Sequence, residues 1–582
     1  MRHVAFHLVF WAGCALILSR ALGTGVSADA LFGSADNDDV MRLLSVRAWL
    51  NGQSWFDMTQ YRLLAPEGLS LHWSRYGDLG PALTLRALEA VLPPHAAERW
   101  MALAWPTALA LMLHALVGFG TRAHMGAVAG AVAMAVLAAW AMVSSGYFAP
   151  GRLDHHNLQI LLMGVAAFAV LSRKRPVLGG GVCAGALALS LAIGLEGVLF
   201  GAAIGSLIVI QSALDLPSSR ARMTGFCASL APLAVCAHLG QTPPERWGVP
   251  VCDALGPGIL GVLAVGSVAG LSLYALPLRA RKAVPVLALA AGLLALGLAL
   301  LWAQVSPCLA GPYASLPGPL QILIAQDLAE ALPAYRFAQR FPGVAVDLLW
   351  PAGAAVIIGA LGVAVSPTGA LRRSGLTLLI LCLVGTLAAL MQVRQVILLA
   401  AIAPALTGFG LQALITARRR ERSPLAALGV LGALALLMLP LVAKDVLQAR
   451  PNAGGQIAAQ DQGCALPSTL SGLNAVPPTA ILTPLNLGPK LLLATHHTGL
   501  AAPYHRSARA LGNGVLPFRG TPQDMGAVLS RERADLVLVC AGSQYGPATS
   551  VGSLLAAGSP PPSFAPVPLG DGPLRLYRWR AP

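Results

Sequence analysis

The sequence predicts an α-helical polytopic membrane protein that carries a small C-terminal α/β domain. Hydrophobic residues make up 56% of the 582 residues, charged residues only 11%, and the mean hydropathy is +0.69. Soluble chains carry about 25% charged residues, so this composition excludes a soluble globular protein. Apolar runs long enough to cross a bilayer follow one another along most of the chain. Residues 443–582 instead alternate short strand-like runs with Pro/Gly turns.

The apolar runs predict about thirteen transmembrane helices. The first run, Val4 to Leu22, is either a retained helix, which we prefer, or a signal peptide. Both interpretations place the residues from 23 onward outside the cytoplasm. The other runs lie near 101–120, 125–146, 157–172, 176–194, 197–214, 223–240, 258–278, 283–305, 343–365, 375–393, 395–415 and 424–442.

Basic residues cluster in alternate loops between these runs, which is the pattern of cytoplasmic loops. The net charge of +15 is therefore a topology signal and does not indicate nucleic-acid binding. The pattern predicts a transmembrane domain over 1–442, with outer loops at 23–100 and 306–342, and a periplasmic domain over 443–582 in a bacterial cytoplasmic membrane. The basic clusters are Arg173-Lys174-Arg175, Arg220 with Arg222, Arg279-Arg281-Lys282, Arg372-Arg373, and Arg418-Arg419-Arg420 with Arg422.

The predicted periplasmic domain has three strand-like runs, namely Ala480-Ile481-Leu482, Lys490 to Ala494 and Asp535 to Cys540, and a helical stretch from Pro522 to Arg533. The nine cysteines contain no CxxC pair, so a structural zinc site is not expected. An oxidising compartment permits a disulfide within each of two pairs, although the sequence does not fix the pairing. The pairs are Cys464 with Cys540 and Cys252 with Cys308.

An acidic cluster, Asp36-Asn37-Asp38-Asp39, opens the first outer loop just before a helical stretch from Val40 to Leu50. Helix capping needs one of these residues, not all of them. Carboxylates this close repel one another unless a cation offsets them. The cluster therefore predicts that at least one of these carboxylates binds a metal ion.

Basic and aromatic residues follow in the same loop. Arg42 and Arg47 either reach a phosphate or pair with nearby acidic residues, and the sequence leaves both possibilities open. The stretch His72-Trp73-Ser74-Arg75-Tyr76 suits an anchor at the membrane interface better than a catalytic role.

A second outer segment carries Asp154-His155-His156 between two apolar runs. Carboxylate and imidazole ligands suit Mg²⁺ or Mn²⁺ better than a soft metal. Acidic clusters from two separate loops predict one divalent site that holds a phosphate-bearing substrate at the membrane face. Arg394, in Gln392-Val393-Arg394, either binds that phosphate or reaches towards the lipid headgroups. Glu196 is interpreted as a helix cap or an arginine partner.

Four short motifs in this order resemble the catalytic subunit of oligosaccharyltransferase, in its archaeal and bacterial single-subunit form. They are Asn37-Asp38 with the downstream Arg47, then Asp154-His155-His156, then Leu328-Ala329-Glu330 before Ala331-Leu332-Pro333, and Val393-Arg394. The resemblance implies a GT-C fold of about thirteen helices with a C-terminal soluble domain. It also implies transfer of a sugar or oligosaccharide from a polyprenyl-(di)phosphate donor.

The resemblance assigns roles to the matching residues. It implies Asp38, Asp154 and His156 as ligands of Mg²⁺ or Mn²⁺. The secondary candidates are Asp36, Asp39 and His155. Arg394 and Arg47 are implied as contacts of the lipid-linked phosphate. Glu330 is implied to face the metal and the acceptor, so that Glu330 or Asp38 serves as general base.

The family's Trp-Trp-Asp-Tyr-Gly motif is absent, so the acceptor is left open among glycan, lipid and protein. The tail has Pro484-Leu485-Asn486-Leu487-Gly488-Pro489 and, later, His496-His497-Thr498 and Pro503-Tyr504-His505-Arg506. The His/Arg patch either contacts an anionic acceptor or forms a solvated face, and we prefer the solvated face.

Two alternatives remain at this point. The first is a transporter or flippase of lipid-linked glycans, which would place charged residues within its helices, whereas here they lie at one membrane face. The second is a metal-free GT-C transferase that uses a polyprenyl-monophosphate sugar, with Asp38 as base. Chelation of divalent metal distinguishes the second alternative from the metal-dependent enzyme.

Overall fold

The structure is a computed structural model that describes residues 2–140, 142–274, 283–311, 313–421, 424–448, 463–570 and 572–580. The basic loop Arg279-Arg281-Lys282 and Arg422 lie outside the described residues. The predicted domain boundary between 442 and 443 falls inside the helix Pro424–Gln448, and the division into two domains stays a prediction.

The described residues form a multi-pass helical membrane protein. Eight helices are long and apolar enough to cross a membrane, and a ninth crossing is a pair of helices bent by 58° at a short break. Four further apolar helices are shorter, so the count of thirteen spans stays a prediction. The eight are His3–Thr24, Pro94–Met125, Pro176–Ile193, Leu195–Ala213, Ser219–Gln241, Ala283–Leu300, Pro342–Val365 and Ala370–Met391; the bent pair is Val393–Leu399 with Ile402–Arg420; the shorter helices are Ala127–Ala139, His156–Val170, Pro257–Leu273 and Pro424–Pro440.

Small residues bring the helices close together. A Cβ on Gly180 would lie 2.2 Å from the backbone oxygen of Arg222, and a Cβ on Gly225 would lie 2.1 Å from that of Val177. Only glycine permits this approach, which is typical of helix packing in membranes. The helices Pro176–Ile193 and Ser219–Gln241 are therefore held side by side, which fixes Arg222 beside the loop that precedes the first of them.

The outer loops contain short helices and one hairpin. Strands β1 (Thr59–Gln60) and β2 (Leu69–Ser70) pair antiparallel in the first outer loop. The helices of that loop are Ala28–Phe32, Asn37–Leu50 and Tyr76–Glu89; those of the later loop are Trp302–Val305, Ser306–Ala310, Gly318–Asp327, Ala329–Ala331 and Ala334–Arg340.

The C-terminal region is a small α/β unit, as predicted, around a five-stranded sheet in the order β4-β3-β5-β7-β6. Strands β4, β3 and β5 are parallel, whereas β7 pairs antiparallel with both β5 and β6. The strands are β3 (Ala480–Leu482), β4 (Thr498–Gly499), β5 (Leu536–Cys540), β6 (Phe564–Val567) and β7 (Leu574–Trp579); the main helices are Gly488–Ala494, Ala508–Asn513, Pro522–Glu532 and Val551–Ala557.

The strand predicted from Lys490 to Ala494 is wrong, because this run lies in the helix Gly488–Ala494. Pro489 occupies the first turn of that helix, where its missing N–H costs nothing. Leu491 and Leu492 are both buried, but against different core clusters, which a short apolar run does not reveal.

The C-terminal unit is docked on the first outer loop. The backbone N–H of Leu64 donates to the carbonyl of Gly499 (2.9 Å), and the N–H of Gly499 donates to the carbonyl of Arg62 (2.9 Å). Buried side chains of both regions, among them Leu63 and Leu482, belong to one hydrophobic cluster. Each of the two cysteine pairs considered above forms a disulfide, Cys252–Cys308 and Cys464–Cys540.

Candidate active site

A cavity of about 720 Å³ lies between the outer loops, the ends of the apolar helices and the C-terminal unit. Its charged lining comes from several separate parts of the chain. The lining residues that matter for the candidate chemistry are Asp38, Asp154, His156, Glu196, Glu330 and Arg394, and Arg152, Asp253 and Arg519 also line the cavity. The secondary candidates Asp36 and His155 also line the cavity, whereas Asp39 and Arg47 are not among its lining residues.

Asp39 joins the two acidic segments instead of facing the cavity. One of its carboxylate oxygens accepts the backbone N–H groups of Leu153 (2.7 Å) and Asp154 (2.8 Å), and the other accepts that of Asp36 (2.9 Å). The Arg152 guanidinium lies 3.1 Å from the same side chain, which is fully buried. Burial raises the pKa of Asp39 to about 6, although Arg152 opposes this shift. Asp39 therefore connects the acidic cluster at Asp36 to the segment Leu153-Asp154 through backbone hydrogen bonds.

Asp154, His155 and His156 form a compact group, in which one potential ligand atom of each lies within 4.8 Å of the others. Asp154 Oδ1 accepts the backbone N–H of His155 (2.6 Å), and Asp154 Oδ2 contacts His156 Nδ1. All three side chains are buried. The Nε2 atoms of His155 and His156 have no hydrogen-bond partner among the described residues.

Arg42 of the first outer loop contacts His155. Its Nη2 lies 3.0 Å from His155 Nδ1, and its Nη1 donates to Asp78 Oδ1 (2.8 Å). The guanidinium also stacks over the Trp73 ring, 4.4 Å from the centroid. Of the two roles left open for Arg42, the structure favours pairing with an acidic residue.

The pKa values of Asp38 and Asp154 are shifted in opposite directions. Burial raises the pKa of Asp38, and the nearby carboxylates of Asp154, Asp36 and Glu330 raise it further. For Asp154 burial acts in the same direction, but the two adjacent imidazoles outweigh it and hold its pKa well below the usual range. A cation in the cavity would favour the ionised form of Asp38.

Glu330 and Arg394 come together although they are predicted on different loops. Arg394 Nη1 lies 3.5 Å from Glu330 Oε1, and the N–H of Val393 donates to the carbonyl of Leu332 (2.9 Å). The Nε of Arg394 is buried without a hydrogen-bond partner among the described residues, so part of its donor capacity is free for a ligand.

Glu196 faces the cavity, which the sequence did not reveal. Gln159 Nε2 donates to Glu196 Oε2 (3.0 Å) and to the carbonyl of Gly194 (3.0 Å). His155 Nε2 lies 3.9 Å from Glu196 Oε1. A Cβ on Gly194 would lie 2.4 Å from the Glu196 carboxylate, so the carboxylate packs directly against this backbone position. An acidic residue in a short turn between two apolar runs was the available signal.

Arg47 lies on the same helix as Asp38 but pairs with Glu98. Its Nε and Nη2 donate to the two Glu98 oxygens at 2.7 and 2.6 Å. The guanidinium is therefore engaged by a carboxylate from the helix Pro94–Met125. The structure does not bring Arg47 to the cavity that Arg394 lines.

Comparison with known proteins identifies the fold and leaves the family open. No protein-family model matches the chain, and no curated protein matches it. The apo oligosaccharyltransferase of Archaeoglobus fulgidus is similar in structure, with a TM-score of 0.67 and 14% identity over 92% of this chain and 69% of that chain. The chain has a GT-C fold.

Two further oligosaccharyltransferase structures from the same archaeon agree. Oligosaccharyltransferase AglB in complex with an inhibitory peptide and a dolichol-phosphate matches with a TM-score of 0.64 and 13% identity, over 92% of this chain and 69% of that chain. A complex with Zn and sulfate matches with a TM-score of 0.60 and 13% identity, over 91% and 68%. At this identity, the likeness supports the GT-C fold alone.

In this GT-C fold, the C-terminal unit completes one wall of the cavity. Tyr504 is buried, and its hydroxyl donates to the carbonyl of Asn37 (3.1 Å). The side chain of Asn37 donates to Asn486 Oδ1 (2.9 Å). Burial and the nearby Asp38 raise the pKa of Tyr504 well above its usual range, so this residue stays a neutral hydrogen-bonding group.

The His/Arg patch of the tail is fixed, which contradicts the solvated face that we preferred. Arg506 binds both oxygens of Asp253 (2.7 and 2.9 Å), and His505 Nε2 lies 3.0 Å from one of them. Cys252, beside Asp253, is tied to Cys308. An acidic partner from a distant loop explains the difference, because composition does not reveal it.

The predicted interfacial anchor around Trp73 is also wrong. Trp73, Ser74 and Arg75 are buried, and Trp73 lines the cavity. His72 stacks beside His505, with 4.7 Å between the ring centroids. Burial lowers the pKa of His72 to about 3. Instead of reaching the lipid headgroups, Trp73 packs edge-on against Tyr504 of the C-terminal unit, and Arg75 binds Asp78 of its own loop.

Proposed function

We propose that the protein is a membrane glycosyltransferase. It transfers a sugar or oligosaccharide from a polyprenyl-(di)phosphate donor to an acceptor on the outer face of the cytoplasmic membrane, with its C-terminal unit in the periplasm. The observation that carries this proposal is the convergence of Asp38, Asp154, His156 and Arg394 on one cavity. A mixed group of acids, imidazoles and a guanidinium fits a metal-bound phosphate.

A divalent cation fits the residues that are present. The imidazole Nε2 atoms of His155 and His156 are buried without a hydrogen-bond partner in the described part of the chain. The neighbouring carboxylates repel the ionised form of Asp38, and a cation would offset this repulsion. We propose Asp38, Asp154 and His156 as ligands of Mg²⁺ or Mn²⁺, with His155 beside them. Such an ion, when bound, neutralises charge on the leaving phosphate.

The donor is lipid-linked because of where the cavity lies. Val393–Leu399 and Leu195–Ala213, two apolar segments, begin at the residues that line it. A polyprenyl chain can therefore stay in the membrane while its phosphate reaches Arg394, whose planar guanidinium matches phosphate oxygens. The archaeal protein of the same fold has been solved with a dolichol-phosphate.

The acceptor is activated by a carboxylate. We assign this role to Asp38 or Glu330, both of which line the cavity. As the acceptor oxygen attacks the anomeric carbon, the carboxylate takes the proton, and the bond from that carbon to the donor phosphate breaks. The acceptor is a glycan, a lipid or a protein.

A metal-free transferase is a second candidate, favoured by one observation. Without a cation, the pKa of Asp38 is raised by burial and by its acidic neighbours. A carboxylate with a raised pKa is a better general base. In that case Asp38 would act alone on a polyprenyl-monophosphate sugar.

Metal removal separates the two candidates. For the metal-dependent enzyme, EDTA is expected to reduce transfer from a polyprenyl-diphosphate sugar at least about a hundredfold, because several kcal/mol of barrier depend on the ion. Mn²⁺ or Mg²⁺ added in excess should restore it. The assay uses purified protein in lipid nanodiscs and measures radiolabelled product. Undiminished turnover in EDTA would favour the metal-free transferase, and absence of any transfer product would leave the flippase alternative.

The two arginines from the sequence hypothesis should behave differently. Arg394→Ala is expected to lower kcat/KM for the donor at least about a hundredfold, because it removes a charged contact to the phosphate. Arg47→Ala should lower it less than about threefold, because Arg47 is engaged by Glu98 and such a pair contributes about 1 kcal/mol or less. Equal losses in both variants would contradict the placement of the phosphate at Arg394.

A further inference from the structure

A second cavity lies at the opposite ends of the apolar helices. It has a volume of about 260 Å³ and is lined by residues at the end of helix His156–Val170 and the start of helix Ala370–Met391. The latter helix has 22 residues, which span about 33 Å, and Gln392 at its far end lines the candidate active site. This length matches the hydrocarbon core of a bilayer, about 30 Å thick. The two cavities therefore open at opposite membrane surfaces.

The second cavity is strongly basic. Arg173, Arg222 and Arg373 line it, and no acidic residue stands among the described residues that do so. They come from three separate loops or helix ends, each of which carries a basic cluster in the sequence. Positive-inside topology explains why these loops are basic. It does not explain why three of the arginines surround one concave space.

Arg222 is built into the wall of this cavity. Its side chain is only 6% exposed. Nη1 donates to Gln211 Oε1 (3.0 Å) and Nη2 to the carbonyl of Ser172 (2.9 Å), while Gln211 is held by Thr377 Oγ1 (3.0 Å). The Nε of Arg222 is buried and has no hydrogen-bond partner among the described residues. The guanidinium of Arg222 is therefore fixed in position, and no described residue accepts a hydrogen bond from its Nε–H group.

Two helix N-termini add to the positive potential. The helix Ser219–Gln241 begins directly after Ser218, and the helix Ala370–Met391 begins with Ala370; Ser218 and Ala370 both line the cavity. The unpaired N–H groups of a first helical turn and the helix dipole favour an anion. Together with the arginines, they create a site for a compact group of high negative charge, and phosphate has this character.

We propose that this cavity binds a phosphate group, and that the phosphate belongs to the headgroup of an anionic phospholipid in the leaflet opposite the active site. The apolar side chains of Val170, Leu171 and Leu216 line the same cavity, so an acyl chain can lie beside the charged group. Basic pockets between membrane helices bind anionic headgroups in this way. This inference does not rest on the proposed function.

The test compares two double variants of equal charge in the full-length protein. Arg173→Gln with Arg373→Gln removes the two exposed arginines of the cavity, while Arg175→Gln with Arg372→Gln removes neighbours that do not line it. Delipidated protein is titrated with phosphatidylglycerol, with phosphatidylcholine and with inorganic phosphate, and binding is followed by native mass spectrometry. The wild type is expected to prefer phosphatidylglycerol, and the cavity variant should bind it about tenfold more weakly.

The outcomes separate the possible sources of the phosphate. Preference for phosphatidylglycerol that is lost in the cavity variant and retained in the control variant supports the lipid site. If inorganic phosphate binds to the wild type and to the control variant but not to the cavity variant, the site binds phosphate, and its ligand is a soluble phosphate compound. Equal losses in both double variants, or equal binding of the two lipids by the wild type, would overturn the proposal. The melting temperature of each ligand-free variant shows whether it folds.

Discussion

Asp154→Asn is expected to reduce sugar transfer at least about a thousandfold, because the lost stabilisation amounts to several kcal/mol of barrier. The carboxylate of Asp154 fixes both neighbouring imidazoles, through the backbone N–H of His155 and through Nδ1 of His156. An amide keeps the shape but loses the charge, and its NH₂ group would face one of these donors. The variant therefore loses a ligand and the orientation of two others.

Two measurements distinguish this effect from misfolding. Mn²⁺ binding, followed by isothermal titration calorimetry, should weaken at least about tenfold in Asp154→Asn, while expression and elution profile stay unchanged. Glu98→Gln is the matched control, since Glu98 is a half-buried outer-loop carboxylate that does not line the cavity. Wild-type Mn²⁺ affinity together with wild-type transfer in Asp154→Asn would remove the metal site.

The helical architecture follows from local composition, which is why the sequence predicts it well. Runs of apolar residues must be helical in a bilayer, since no water satisfies the backbone. The run predicted at 157–172 is the helix His156–Val170, and that at 343–365 is Pro342–Val365. The break after Leu399 was not predicted, because apolar residues continue on both sides of the 58° bend.

The sequence predicts those parts of the candidate site whose charged residues are adjacent in the chain. Asp38 and Asp154 belong to short acidic motifs, and the structure places both on one cavity. Arg394 is a charged residue between apolar runs, which already marks a functional candidate. In each case the signal is a residue type whose burial would be costly without a partner or ligand.

The supporting interactions are not predictable in this way. Asp39 accepts backbone N–H groups of residues 153 and 154, and Asp253 binds Arg506, two residues that are far apart in the chain. Nothing in hydrophobic periodicity reports such pairs, because they depend on which loops meet after the helices pack. The sequence predicts only a helix cap or an arginine partner for Glu196 for the same reason, because its partners Gln159 and His155 lie on other segments.

Asp78 is the clearest example of a residue whose supporting interactions the sequence does not predict. Removal of its carboxylate should have the largest effect on the free energy of unfolding. Its carboxylate is fully buried between two buried arginines: Oδ1 accepts from Arg42 (2.8 Å) and Oδ2 from Arg75 (2.9 Å). Arg75 also donates to the carbonyls of Ser45 (2.8 Å) and Asp57 (2.6 Å). Asp78→Ala leaves two buried positive charges without a counter-charge, so we expect a loss of about 3–5 kcal/mol in the free energy of unfolding.

Glu89→Ala, on the same helix as Asp78, is the matched control. Glu89 pairs with Arg86 at 2.9 Å, but the side chains are 26% and 55% exposed, so its loss should cost about 0.5 kcal/mol. Unfolding is measured by titration with a denaturing detergent in mixed micelles. Similar losses in the two variants would show that water reaches the Asp78 cluster.

Asp78→Ala should also weaken Mn²⁺ binding, because Arg42, which pairs with Asp78, contacts His155 Nδ1. Glu89→Ala should leave Mn²⁺ binding unchanged. This second measurement links the buried ion pairs to the position of the imidazole.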